Sequence, residues 1–208
     1  MTTTLYGCAN SRSLRAACAL EEAGAGYDYV AVDLFKGEQD DRAFRALNPA
    51  GRVPVLVDDG ITLTESAAIV LYIAEQYPAS RLFPAVQPAR ADCLRWCFFI
   101  ATELEQPLWT IARHRFALPR DKRVPDIEPT ARWEFGNACA VFEHALDREF
   151  IVGNALSAAD ILAGHTLAWA RSAKIDLPYP RIDAYLDRLY ARSALKRARA
   201  RESTEKRG

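Results

Sequence analysis

No apolar run in this 208-residue chain approaches the roughly 20 residues that a membrane-crossing helix needs. The longest are short stretches such as 96–101. The opening Met-Thr-Thr-Thr-Leu-Tyr-Gly also lacks the charged head and apolar body of a secretory signal. A cytosolic location is the resulting expectation. The sequence has no excess charge of one sign either. Its 27 basic and 27 acidic side chains cancel, which argues against nucleic acid or an anionic membrane as a partner. Only residues 192–201 are rich in Arg and Lys, and they read as a solvated helix end. Cysteine is scarce. There are five, an odd number, with no C-x-x-C pair, so neither a disulfide framework nor a structural zinc site is expected. Cys93 and Cys97 share one helix face without a second ligand pair and read as small core residues. His114, His144 and His165 show no metal-ligand spacing.

Half of the chain is apolar and about a quarter is charged, ordinary values for a soluble globular protein. Its length suits two modest domains. The first segment with a pattern is a short apolar strand ending at Leu5-Tyr6-Gly7, followed by the polar loop 8–13. Leu14, Ala17 and Cys18 then mark a helix face, with Arg12, Arg15 and Glu22 placed away from it. Gly24 suits a C-terminal cap. Residues 27–32 are strand formers. Strand, helix and strand within about thirty residues predict a parallel βαβ unit.

Residues 35–47 are weakly helical, and Asn48-Pro49-Ala50-Gly51 is a turn. Residues 53–57 and 61–63 flank Asp58-Asp59-Gly60, the clearest hairpin signal in the chain. Thr64-Glu65-Ser66 opens a helix with the stripe Ile69, Ile73 and Tyr77, stopped by Pro78. This order is thioredoxin-like. It predicts an α/β domain over 1–80 and a proline-punctuated linker over 81–88. An all-α domain follows over 89–208, with helical periodicity at 89–116, 132–146, 158–170 and 182–190. Pro107 is expected to kink its helix.

Three pieces of this chain resemble the glutathione S-transferase family. They are Asn48-Pro49-Ala50-Gly51-Arg52-Val53-Pro54-Val55-Leu56, then Glu65-Ser66 eleven residues after Pro54, and Gly153-Asn154-Ala155-Leu156-Ser157-Ala158-Ala159-Asp160-Ile161. The resemblance implies a glutathione-binding thioredoxin-like domain and a helical bundle lining a pocket for a second, apolar substrate. It also implies a homodimer, with glutathione as a co-substrate and no metal or redox cofactor. The expected reaction is conjugation to, or substitution on, a small electrophile, a detoxification chemistry.

The physics of each piece agrees with that role. A proline opening an internal strand removes a ladder hydrogen bond. In thioredoxin-like folds this proline is cis, which leaves the backbone of Val53 able to pair with an extended peptide such as glutathione. Arg52, Val53 and Pro54 are therefore expected at the ligand. Glu65 and Ser66 stand at a helix start, where free N–H groups attract a carboxylate and the Glu65 carboxylate can pair with an ammonium. The γ-glutamyl end of glutathione carries both groups. Ser157 and Asp160 fit a capping box that seeds the next helix.

The thiol needs a donor at the start of the first helix. Three residues stay open for that role: Ser11, Asn10 and Cys8. Ser13 reads as a helix cap and Tyr6 as structural. Cys8-Ala9-Asn10-Ser11 also reads as C-x-x-S, which admits a glutathione-dependent thiol–disulfide reductase or peroxidase. A non-catalytic binding protein is the third alternative. In the helical part Trp109, Arg113 and Phe116 are spaced to share one face and are candidates for the second pocket. Some bacterial relatives place a glutathione-touching histidine where this chain has Glu105, so that contact does not carry over.

Overall fold

Strand β1 (Thr4–Gly7) is the centre around which the N-terminal residues assemble. The computed structural model describes residues 3–204. After the polar loop come α1 (Ser13–Ala23) and β2 (Asp28–Ala31), which returns parallel to β1 with Leu5 opposite Tyr29. Gly24 takes φ 65°, and the N–H groups of Gly24 and Ala25 cap the carbonyls of Glu21 and Leu20. Only a residue without Cβ holds that conformation at no cost. A short helix α2 (Arg42–Leu47) leads into the hairpin β3 (Val55–Asp58) and β4 (Ile61–Thr64), both antiparallel to their neighbours. The sheet order is β2-β1-β3-β4. Helix α3 (Ser66–Gln76) packs beside α1, and Pro78 follows its end.

This is a thioredoxin-like unit. Its core includes Leu5, Leu20, Val55, Leu56, Ile69 and Ile73, all at 1% exposure or less. Tyr6 meets Phe44 edge-on at 6.3 Å, a packing role in keeping with its place on the strand. Gly7 is required by space. A Cβ there would lie 2.6 Å from the Tyr29 hydroxyl and 2.8 Å from the Ser13 Cβ.

The second unit is helical. It contains α4 (Ala89–Phe99), α5 (Glu105–Ala112), α6 (Glu128–Ala145), α7 (Ala158–Ser172) and most of α8 (Pro180–Ala191). A wide π-helical turn, Ile100–Leu104, joins α4 to α5. Pro107 lacks the N–H that an α-helical repeat would need, and the helix accommodates this by widening in the preceding turn. Trp96, Phe142 and Tyr185 form an edge-on aromatic stack at 5.5 and 5.6 Å.

Beneath that stack the predicted capping box is present at the start of α7. Asp160 accepts from the Ser157 N–H at 2.8 Å, the Ser157 hydroxyl at 2.6 Å, the Ile151 N–H at 2.9 Å and the Tyr185 hydroxyl at 2.7 Å. Burial pushes the Asp160 carboxyl up, against the pull of these four donors. The motif is structural. Among the described residues no helix is long and apolar enough to cross a membrane.

The units divide after Ala85, and the chain re-enters the first unit at Tyr190. The helical part expected over 89–208 therefore ends inside α8. Helix α9 (Ser193–Thr204) belongs to the thioredoxin-like unit. The run 192–201 is not simply a solvated end. Arg192 holds Glu22 through two hydrogen bonds, and Arg197 and Arg201 both hold Glu21.

Candidate active site

The sheet register brings three segments of the first unit to one end. Tyr6 pairs with Val55, and Val55 pairs with Thr64. The loop leaving β1, the residues entering β3 and the start of α3 are therefore neighbours. These are loop 8–13, Val53-Pro54 and Glu65-Ser66, the places where the sequence put its candidates.

The loop is closed by its own side chains. The Ser11 hydroxyl donates to the Cys8 carbonyl at 2.6 Å and accepts from the Ser13 N–H at 3.1 Å. The two serine oxygens lie 2.8 Å apart, and the Cys8 N–H donates to Ser13 Oγ at 3.1 Å. With the Ser11 proton on Cys8, Ser13 supplies the hydrogen between the two hydroxyls. Ser13 is thus the first helical residue and not the cap. The capping position is Arg12, and the side chain that satisfies an early helical N–H is Ser11. Asn10 stands at the exposed tip with φ 60°, a left-handed conformation that asparagine tolerates better than most residues. Cys8 is half-buried, with Sγ 3.6 Å from the Ala9 carbonyl.

The Val53–Pro54 peptide is cis, as expected, and ladder pairing of β3 begins only at Val55. Val53 is half-buried, Pro54 is buried and Arg52 is exposed. Asn48, which the sequence offered only as a turn residue, shapes this segment. Its side chain donates to the Arg52 carbonyl at 2.7 Å and accepts from the Ala50 N–H at 3.0 Å, and it is 6% exposed. The turn also needs Gly51, at φ 61°, where a Cβ would meet the Arg45 guanidinium at 2.7 Å.

Glu65 occupies the cap position of α3 at φ 66°, ψ 111°. A non-glycine residue held there carries about 1–3 kcal/mol of backbone strain, a feature that concentrates at functional sites. Ile69 makes the first helical bond back to the Glu65 carbonyl. The N–H groups of Ser66, Ala67 and Ala68 therefore stay outside the helical ladder. Ser66 is buried and accepts a hydrogen bond from Arg15 at 3.2 Å. Arg15 is 3% exposed, so the expectation that it points away from the buried face of α1 is corrected. Glu22 is corrected too, since it binds Arg192. No local signal marked Arg15, because its partner Ser66 lies 51 residues away.

In the helical unit Trp109 and Arg113 are half-buried, and Phe116 is 66% exposed. The second π-helical turn, Arg113–Ala117, separates them. It is closed by the Leu118 N–H donating to the Arg113 carbonyl, so the spacing that aligned Phe116 with Trp109 does not hold there. A cavity of about 320 Å³ in this unit is bordered by Ile111, His114 and Glu128, and none of the three candidates lines it. Glu105 is 7% exposed, with Thr166 Oγ1 3.5 Å from its carboxylate.

Taken by its fold, the first unit has the thioredoxin-like frame, with a cis-proline entering β3 and a helix N-terminus beside it. Residues 1–75 match the family described as Glutathione S-transferase, N-terminal domain, and residues 104–193 match Glutathione S-transferase, C-terminal domain. The chain is 32% identical over 196 residues to Glutathione S-transferase GstA of Escherichia coli O157:H7, covering 91% of this chain and 94% of that one. It is 32% identical over 176 residues to Maleylacetoacetate isomerase of Rattus norvegicus, covering 83% and 80%. A solved sphingomonad glutathione S-transferase complexed with glutathione superposes with a TM-score of 0.83 at 33% identity, covering 96% and 98%. The chain belongs to the glutathione S-transferase family.

Proposed function

We propose that this protein is a glutathione transferase that binds glutathione at the common end of β1, β3 and α3 and activates its thiol for attack on a small apolar electrophile. The observation that carries this reading is the meeting of loop 8–13, the cis Val53–Pro54 peptide and the Glu65-Ser66 helix start at one end of the sheet. The Val53 backbone pairs with the extended peptide of the ligand. Ser66 and the first N–H groups of α3 take the γ-glutamyl carboxylate, and Glu65 takes the ammonium.

The thiol then lies near the start of α1. A free thiol has a pKa of about 8.5, and lowering it by about two units requires roughly 2.7 kcal/mol of preferential stabilisation of the anion. The start of α1 supplies part of this through its dipole. Ser11 supplies the rest by turning its hydroxyl from the Cys8 carbonyl to the thiolate, with Asn10 the next candidate. Glutathione is a co-substrate and no cofactor takes part. The helical unit, with Trp109 and Arg113 as candidates, receives the electrophile, and the protein works as a homodimer.

The test is ultraviolet difference absorbance of bound glutathione across pH, in wild type, Ser11→Ala, Asn10→Ala and Cys8→Ser. A thiolate signal near neutral pH that is lost in Ser11→Ala is the expected result. Loss only in Cys8→Ser transfers the role to Cys8 and favours thiol–disulfide exchange. Binding without thiolate in any form contradicts a catalytic role.

A further inference from the structure

We infer that Arg15 is a positioning residue for the ligand carboxylate, fixing the Ser66 hydroxyl as a donor by occupying its acceptor side. The inference rests on the glutathione reading above and adds to it a residue that does not itself touch the ligand. A guanidinium has donors only. In the Arg15–Ser66 contact, at 3.2 Å, the serine oxygen must therefore accept. The hydroxyl proton of Ser66 is left for another acceptor, and the N–H groups of Ser66, Ala67 and Ala68 at the same helix start stay outside the ladder. Without Arg15 the hydroxyl could equally accept from a neighbour and turn its lone pairs on an incoming carboxylate.

Charge adds to direction. Arg15 is 3% exposed and Ser66 is 6% exposed. A buried cation is screened far less than a surface one. It places positive charge beside the start of α3, next to the Ser66 hydroxyl. That charge favours a carboxylate drawn to Ser66, which couples Arg15 to binding of the γ-glutamyl group. The γ-glutamyl α-carboxylate is therefore the group that should sense Arg15, while the thiol and the glycyl end should not.

Calorimetric titration tests this with two ligands: glutathione, and an analogue whose γ-glutamyl residue is replaced by 4-aminobutanoyl, removing only that α-carboxylate. Wild type binding glutathione at all decides the reading of the site, and the variants decide the role of Arg15. Arg15→Met should weaken glutathione by about tenfold or more, the scale of a lost charge-assisted hydrogen bond. Affinity for the analogue should stay within about twofold of wild type, a small fraction of that scale. In a Ser66→Ala background, Arg15→Met should add much less than it does alone. Should Arg15→Met fail to fold, Arg15→Lys and Ser66→Ala carry the test. Lysine keeps the charge but loses the planar donor, so it should weaken glutathione more than the analogue. Equal loss for both ligands means a merely structural arginine and overturns the inference, as does unchanged glutathione affinity.

Discussion

Residue environments separate the five thiols sharply. Cys8 is half-buried beside the site, and the other four are buried. Burial and the nearby Glu22 push Cys18 up to about 12, and burial pushes Cys139 up to about 12. Cys97 is pushed well above the usual thiol range, chiefly by its hydrogen bond to Cys93. Cys93 is drawn down by that same bond yet has no exposed surface. Thiolate, not thiol, is the reactive species. Iodoacetamide at pH 8 should therefore alkylate Cys8 first in the native protein, read by peptide mass spectrometry, with S-methylglutathione, which has no thiol to consume the reagent, slowing the reaction. Cys18 labelling as fast as Cys8 would contradict this account of the loop. At this scale the sequence named the loop but not its wiring. Ser11, Ser13 and Cys8 close on each other through contacts of a few residues, a level at which strand and helix periodicity say nothing. Arg15 was misread for a related reason. A charged residue on an otherwise apolar helix reads as solvent-facing, and its partner Ser66 is 51 residues away.

Among elements, α9 is the one whose place the sequence hid. Its composition reads as a polar tail, yet Ala194 and Ala198 are buried and Arg197 and Arg201 are clasped to Glu21 of α1. The partners lie 170 to 180 residues earlier, so no local pattern could pair them. Glu21 is the hub. It accepts from Arg197 at 2.7 Å, Arg201 at 2.8 Å and the Tyr27 hydroxyl at 3.3 Å. The Arg201 guanidinium also lies over the Tyr27 ring at 4.4 Å. Exposed ion pairs are worth little singly, about 0.2–1 kcal/mol, but a shared carboxylate at 9% exposure does more. Glu21→Ala should cost about 2 kcal/mol and lower Tm by roughly 4–8 °C in calorimetry. Lys196→Ala, an exposed change on the same helix, should leave Tm unchanged. Equal effects would mean that α9 contributes through packing alone. Because α1 carries the loop at its start, α9 braces the element on which the proposed thiol site depends.

For the whole molecule, the order of elements was legible because each carried its own punctuation. Gly24 capped α1, Asp59-Gly60 turned the hairpin, and Pro78 followed α3. The capping box at Ser157 and Asp160 was legible for the same reason, being complete within four residues. The return of the chain to its first unit at Tyr190 was not, since it rests on long-range charge pairs. The π-helical turns at 100–104 and 113–117 were hidden as well, because they break the 3.6-residue repeat by which faces are assigned.

The central claim is that this fold binds glutathione as its thiolate. Near neutral pH the free thiol is almost wholly protonated, so binding the anion must release a proton to solvent. Calorimetric titration at pH 7 in two buffers of different ionisation enthalpy measures that proton directly. Glutathione should release close to one proton per site, and S-methylglutathione, which has no thiol proton, should release none. Equal proton release for the two ligands, at any affinity, would contradict thiol activation at this site.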